Sequence, residues 1–175
     1  MTEARAPDPV ALDTRPDIPR IPGSAGALIF DEAGRLLILK PNYKRGWTIP
    51  GGQIEGDGES PWDACRRETL EECGLEVEHG RLVCVDFLSP RPRRRSDQPA
   101  RPGGVRFLFH CGRFSDKRLK AVTLQADEID ECRLADMDEA LALLSGPLRR
   151  RVSKAARAKG CLYLENGRLV RGVSS

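Results

Sequence analysis

Within RRETLEECGL, residues 66–75, three glutamates stand close together: Glu68, Glu71 and Glu72. On a helix turning about 100° per residue they occupy positions i, i+3 and i+4 and share an arc of roughly 100°. Like charges at that spacing repel one another. Glu68 has only Ala64 and Glu72 one turn away, and Glu72 has Glu76, whereas Glu71 has Arg67 one turn back. Just upstream lies Pro50-Gly51-Gly52. Oxygen ligands clustered opposite a glycine turn suit a hard divalent cation such as Mg2+, which takes carboxylates, water and phosphate oxygens. A glycine carbonyl can add a ligand because no side chain blocks the approach. The alternative is a plain solvated acidic face, and the missing counter-charges argue for the metal.

Placing these acids requires a helix, and its ends are clearly marked. Ser60 can cap it, Pro61 suits the first helical position, Asp63 has the capping-box spacing, and Gly74 stops it. Trp62, Cys65, Thr69, Leu70 and Cys73 then fall on one side as a core stripe. The glutamates fall on another, above Ala64. Upstream, SAGALIF and RLLILK flank DEAG and predict a hairpin over residues 24–40. A third short strand is expected at Gly46–Ile49, running into Pro50-Gly51-Gly52, with a loop from there to Ser60.

Downstream, LVCVDFL (82–88) and VRFLFHC (105–111) read as central strands, and EIDECRL (128–134) as another. MDEALALL and GPLRRRVSKAARA read as helices, and CLYLENGRLV as a hairpin turning on Asn-Gly. Strand–helix mixing without internal repeats predicts an α+β or α/β sandwich. Residues 1–20, rich in proline and aspartate, are expected to be a flexible arm before one domain over 21–175. The loop Ser89–Gly104 carries Arg91, Arg93, Arg94 and Arg95, and two roles are open to it, a lid on a polyphosphate or a spacer.

The stretch Gly52–Leu75 resembles the Nudix box: a glycine, five residues, a glutamate, seven residues, then R-E-U-x-E-E-x-G-U with U bulky and apolar. Glu59, seven residues, and Arg67-Glu68-Thr69-Leu70-Glu71-Glu72-Cys73-Gly74-Leu75 follow it, with Thr69 a mild departure. WTIPGG also resembles the usual entry to the box. One departure is an additional residue: QIEGDG puts six residues, not five, between Gly52 and Glu59.

The resemblance implies an α/β class, with an α/β/α sandwich around a mixed β-sheet. It implies that Glu68, Glu71, Glu72 and the Gly51 carbonyl bind Mg2+, with Mn2+ as a substitute. It further implies a Glu59–Arg67 salt bridge that orients the helix against the loop. The implied reaction is hydrolysis of the diphosphate bond in a nucleoside diphosphate linked to another moiety, such as a nucleoside triphosphate, an ADP-sugar or a dinucleotide. The general base falls to Glu71 or Glu128, with Glu131 as a neighbouring candidate. Lys40, Lys44 and Arg45, upstream of the glycines, are candidates for meeting substrate phosphates, as are Arg93 and Arg94.

Composition sets the outer bounds. At 175 residues, 39% hydrophobic and 31% charged, the chain suits a single soluble domain, and the resemblance implies a small-molecule nucleotide as its partner. It has no run of the ~20 apolar residues that span a bilayer, and the N-terminus lacks a secretory apolar region. Six cysteines without a CxxC pair point to free thiols in the cytoplasm. The net charge of +3 and 5% aromatic content argue against a nucleic-acid partner. A non-catalytic nucleotide-sensing module and an RNA pyrophosphohydrolase or decapping activity remain as alternatives. Oligomeric state is open, a homodimer included.

Overall fold

The computed structural model describes residues 20–91 and 103–173. The expected arm therefore lies outside the described residues apart from Arg20, as do Arg93, Arg94 and Arg95 of the arginine loop.

Four largely apolar strands build the centre. β1 (Gly23–Phe30) and β2 (Leu36–Pro41) form the expected antiparallel hairpin. β4 (Arg81–Leu88) and β5 (Gly104–Arg113) pair antiparallel, and β5 runs parallel to β1. β6 (Ile129–Ala135) pairs with β2, and β7 (Leu162–Glu165) runs parallel to β4, turning back into β8 (Arg168–Leu169). Among the described residues the sheet is mixed and eight-stranded, ordered β6-β2-β1-β5-β4-β7-β8, with the short β3 (Gly51–Gln53) added against β1.

Side chains alternate across a strand, so β1 and β2 supply both faces of the sheet. Ala27, Ile29, Leu37 and Leu39 face one helix, α1 (Pro61–Cys73), through its Ala64, Cys65 and Cys73. Leu28, Phe30, Leu36 and Ile38 face the opposite layer. That layer is α3 (Met137–Leu143) and α4 (Gly146–Ala155), which contribute Ala140, Val152 and Ala155. The result is a three-layer α/β/α arrangement. A short helix, α2 (Asp116–Lys120), absent from the sequence reading, brings Leu119 against the α1 side.

Two expectations need correction. The third strand is not Gly46–Ile49: Trp47 and Thr48 make only isolated bridges, and the strand is Gly51–Gln53. Leu70 is also not in the core, being 48% exposed. Thr69 keeps its expected inward position, its hydroxyl donating to the Cys65 carbonyl at 2.7 Å, which satisfies it in an apolar layer.

Candidate active site

Helix α1 starts as its sequence dictates. The Ser60 hydroxyl accepts the Asp63 amide at 3.1 Å and donates to the Asp63 carboxylate at 2.6 Å. The helix ends at Gly74, whose amide donates to the Leu70 carbonyl at 2.8 Å. Between these caps the glutamates are held against the β3 turn.

Glu72 is 3% exposed, and its carboxylate accepts the Gly51 amide hydrogen at 2.7 Å. Gly51 has φ 138°, and a Cβ there would overlap the Ala25 carbonyl oxygen, so the close pairing of β3 on β1 requires glycine. A Cβ on Gly52 would overlap the Glu68 carboxylate. The structure thus brings Glu68 and Glu72 to one turn. Burial pushes the Glu72 carboxyl up to about 7, against the opposing Gly51 hydrogen bond, and the charges of Glu68 and Glu128 add to it. Burial likewise raises the Glu68 carboxyl, with Arg67 opposing.

Arg67 organises the loop. Its Nε and Nη2 donate to the two oxygens of Glu59 at 2.8 and 3.1 Å, and Nη2 also donates to the Gln53 carbonyl at 3.0 Å. Nη1 bridges Glu68 at 3.0 Å and Glu71 at 2.9 Å. The additional residue of the loop is absorbed in a turn at Gly56–Gly58, after which Glu59 also accepts the Glu55 amide at 2.8 Å. Among the described residues no three His, Cys, Asp or Glu side chains converge as a ready-made metal site. Glu68 and Glu71 instead share the Arg67 guanidinium between them.

The family model for the NUDIX domain matches residues 20–156 of this chain. The chain belongs to the Nudix family. It is a hydrolase of phosphoric anhydride bonds. It is similar to a MutT-like protein of Streptomyces ambofaciens, 30% identical over 120 residues that cover 65% of this chain and 70% of that protein. It is also similar to an RNA pyrophosphohydrolase of Thioalkalivibrio sulfidiphilus (strain HL-EbGR7), 31% identical over 120 residues, 65% of this chain and 69% of the relative. In fold it matches a MutT protein from Bacillus halodurans with a TM-score of 0.60 at 18% identity, over 82% of this chain and 87% of that one.

Beside the Nudix turn opens a cavity of about 570 Å³, whose wall includes Gly51, Gly52, Lys44, Arg45, Trp47 and Arg106. Lys44 and Arg45 thus border it, and the Lys44 charge acts on Glu72. Lys40 does not line it; its ammonium lies 4.0 Å from Glu131, across the β2–β6 pair. Glu131 is tied also to Arg133 at 3.0 Å, whose guanidinium sits 4.8 Å above the Trp47 ring. Glu128 is exposed, its charge felt by both Glu68 and Glu72.

The sequence reading passed over Trp47 and Arg106. Arg106 interrupts an otherwise apolar strand, VRFLFHC, and a cation in such a strand was the available signal. It also passed over the buried pair Arg151–Asp86, at 2.7 Å, which fastens α4 to β4.

Proposed function

We propose that this Nudix hydrolase is Mg2+-dependent and cleaves the diphosphate bond of a nucleoside diphosphate linked to another moiety. The observation that carries this reading is the seating of Glu68 and Glu72 at the Gly51–Gly52 turn, itself part of the cavity wall. The donor set is oxygen only, which fits a hard divalent cation. Glu68, Glu72 and the Gly51 carbonyl would hold it, and Glu71 would join on releasing Arg67. A bound cation of this kind neutralises phosphate oxygens and acidifies a coordinated water.

The chain's own groups supply the rest. Lys44, Arg45 and Arg106 attract the polyphosphate, and the flat Trp47 ring offers a stacking surface for a base. Arg67, anchored on Glu59, fixes the helix relative to the turn. Glu128 is the better placed base: Glu71 is engaged by Arg67, whereas Glu128 has no ion-pair partner among the described residues. The Glu128 carboxylate would take the proton of the attacking water. The six free cysteines support a reducing, cytoplasmic setting. Among the described residues no helix is long and apolar enough to cross a membrane.

The test is a panel of nucleoside triphosphates, ADP-sugars and dinucleotides with Mg2+, scored for phosphate, pyrophosphate or nucleotide release. At least one member should turn over, stop with EDTA and resume with Mg2+ or Mn2+. Tight binding without turnover across the panel would mean a sensing module instead. The similarity to an RNA pyrophosphohydrolase favours a second reading, so 5′-triphosphorylated RNA belongs in the panel.

A further inference from the structure

A second cavity, of about 500 Å³, adjoins the first; both are bordered by Gln53, Arg106 and Pro147. Gln53 directly follows the glycine turn, so the two spaces meet within a residue or two of Gly51 and Gly52, about 4–7 Å along the chain. Arg91, Arg106 and Arg150 line the second cavity, and among the described residues no aspartate or glutamate does. The buried Asp86 of β4 is already committed: it accepts from Arg151 Nε at 2.7 Å and from the Gly167 amide at 2.9 Å.

We propose that the cavity lined by Arg91, Arg106 and Arg150 is a second anion site, which takes a phosphate group on the part of the substrate remote from the scissile diphosphate. This assignment rests on the reading of the first cavity as the substrate pocket. Arg106 is partly buried, and among the described residues its hydrogen bonds go only to carbonyls: its Nη1 donates to Val105 at 3.3 Å and Pro22 at 3.5 Å. Arg150 is held by the Asn166 carbonyl, which accepts from its Nε at 3.2 Å and Nη2 at 3.0 Å. Among the described residues Nη1 of Arg150 and Nε and Nη2 of Arg106 remain for a ligand, and guanidinium edges suit a tetrahedral dianion. Solvation accounts for the exposed Arg91. It accounts less well for a half-buried Arg106, whose proton is loosened first by burial and then by the Arg151 charge, with Asp86, its cross-strand neighbour, opposing.

The walls are built rather than incidental. Asn166 sits in the β7–β8 turn with φ 54°; its side chain accepts from the Ser89 amide at 3.3 Å and donates to the Ser89 hydroxyl at 3.0 Å. Its amide donates to the Phe87 carbonyl at 2.9 Å. This turn therefore locks the end of β4 and positions Arg150 together. It lies beyond residue 156, where the family match ends, so one wall stands outside the matched residues.

The experiment is a titration of the full chain, labelled at arginine and kept metal-free with EDTA, with inorganic phosphate. NMR of the arginine Nε–Hε groups should show saturable shifts at Arg91, Arg106 and Arg150. Arg150→Gln should weaken the fitted affinity at least ~10-fold, the loss of one charge-assisted contact. Arg91→Gln, at an exposed position, should weaken it as well without threatening the fold. Shifts that never saturate, or that neither substitution alters, overturn the site.

Among substrates that turn over, the form carrying an added phosphomonoester should show at least a tenfold higher kcat/KM, and Arg91→Gln should erase that preference. Equal values in the wild type would assign the site to a free ion and overturn its place on the substrate path. A chain that binds phosphate there but hydrolyses nothing would defeat the catalytic reading and leave the anion site standing.

Discussion

The carboxylate of Glu72 accepts the amide hydrogen of Gly51 at 2.7 Å, which joins the last turn of α1 to the first residue of β3. One bond thus couples the acidic helix to the strand that borders the substrate cavity. Gly51 can sit there because nothing projects from its Cα toward Ala25.

Gly51→Ala should therefore destabilise the fold. Strain at φ 138° costs about 1–3 kcal/mol, and overlap with the β1 backbone adds to it. For a chain of this length the melting temperature should fall by roughly 3–10 °C. Gly56→Ala, where an added Cβ meets nothing within 4 Å, is the control and should leave the melting temperature close to wild type.

Arg67 and Glu59 should behave as one unit. Their side chains are 25% and 10% exposed, so solvent screens the pair only in part. A double-mutant cycle with Glu59→Gln and Arg67→Lys should give a coupling of about 1–2 kcal/mol, because lysine cannot reproduce the forked contact. Effects that add to within about 0.3 kcal/mol would show the two residues acting independently.

The β1–β2 hairpin offers a pH test. Asp31 is 1% exposed, with its two oxygens accepting the Arg35 amide at 2.7 Å and the Arg35 Nε at 2.6 Å. Burial works against its ionisation, yet these hydrogen bonds and the Arg35 charge outweigh it and hold the carboxyl below 3.8. A depressed folded value stabilises fully above the unfolded one and is lost as pH falls through the folded one. Asp31→Asn should therefore lower the melting temperature at neutral pH, and the gap to wild type should narrow as pH drops below 3.8. A gap unchanged down to about pH 2.5 would contradict this.

Much of the arrangement was legible because it rests on local chemistry. Ser60, Pro61 and Gly74 marked the ends of α1 within its own sequence, and Asn166-Gly167 marked the last hairpin. The position of β3 was not legible, because Gly51-Gly52 looks like a turn until β1 is beside it to pair with. Leu70 was misplaced because the hydroxyl of Thr69 finds its partner within the helix, leaving the inward position open to it. In the site, the spacing of the glutamates was readable, but the Gly51 amide as the partner of Glu72 was not, since a backbone donor leaves no mark on residue type. Lys40 looked available for phosphates only because Glu131, its cross-strand neighbour, is 91 residues away in sequence.

The central claim, that the acids at the Gly51–Gly52 turn carry the hydrolysis, is tested most directly by Glu72→Gln. The amide can still accept from Gly51, so the fold should hold while the charge is removed. Steady-state hydrolysis of the best substrate in the panel, measured across a Mg2+ titration, should show kcat/KM down by at least about 100-fold, since even groups one step removed from a metal cost 10–100-fold. The melting temperature should stay near wild type. A correctly folded Glu72→Gln variant that hydrolyses the same substrate at the wild-type rate with the same Mg2+ dependence would contradict the account.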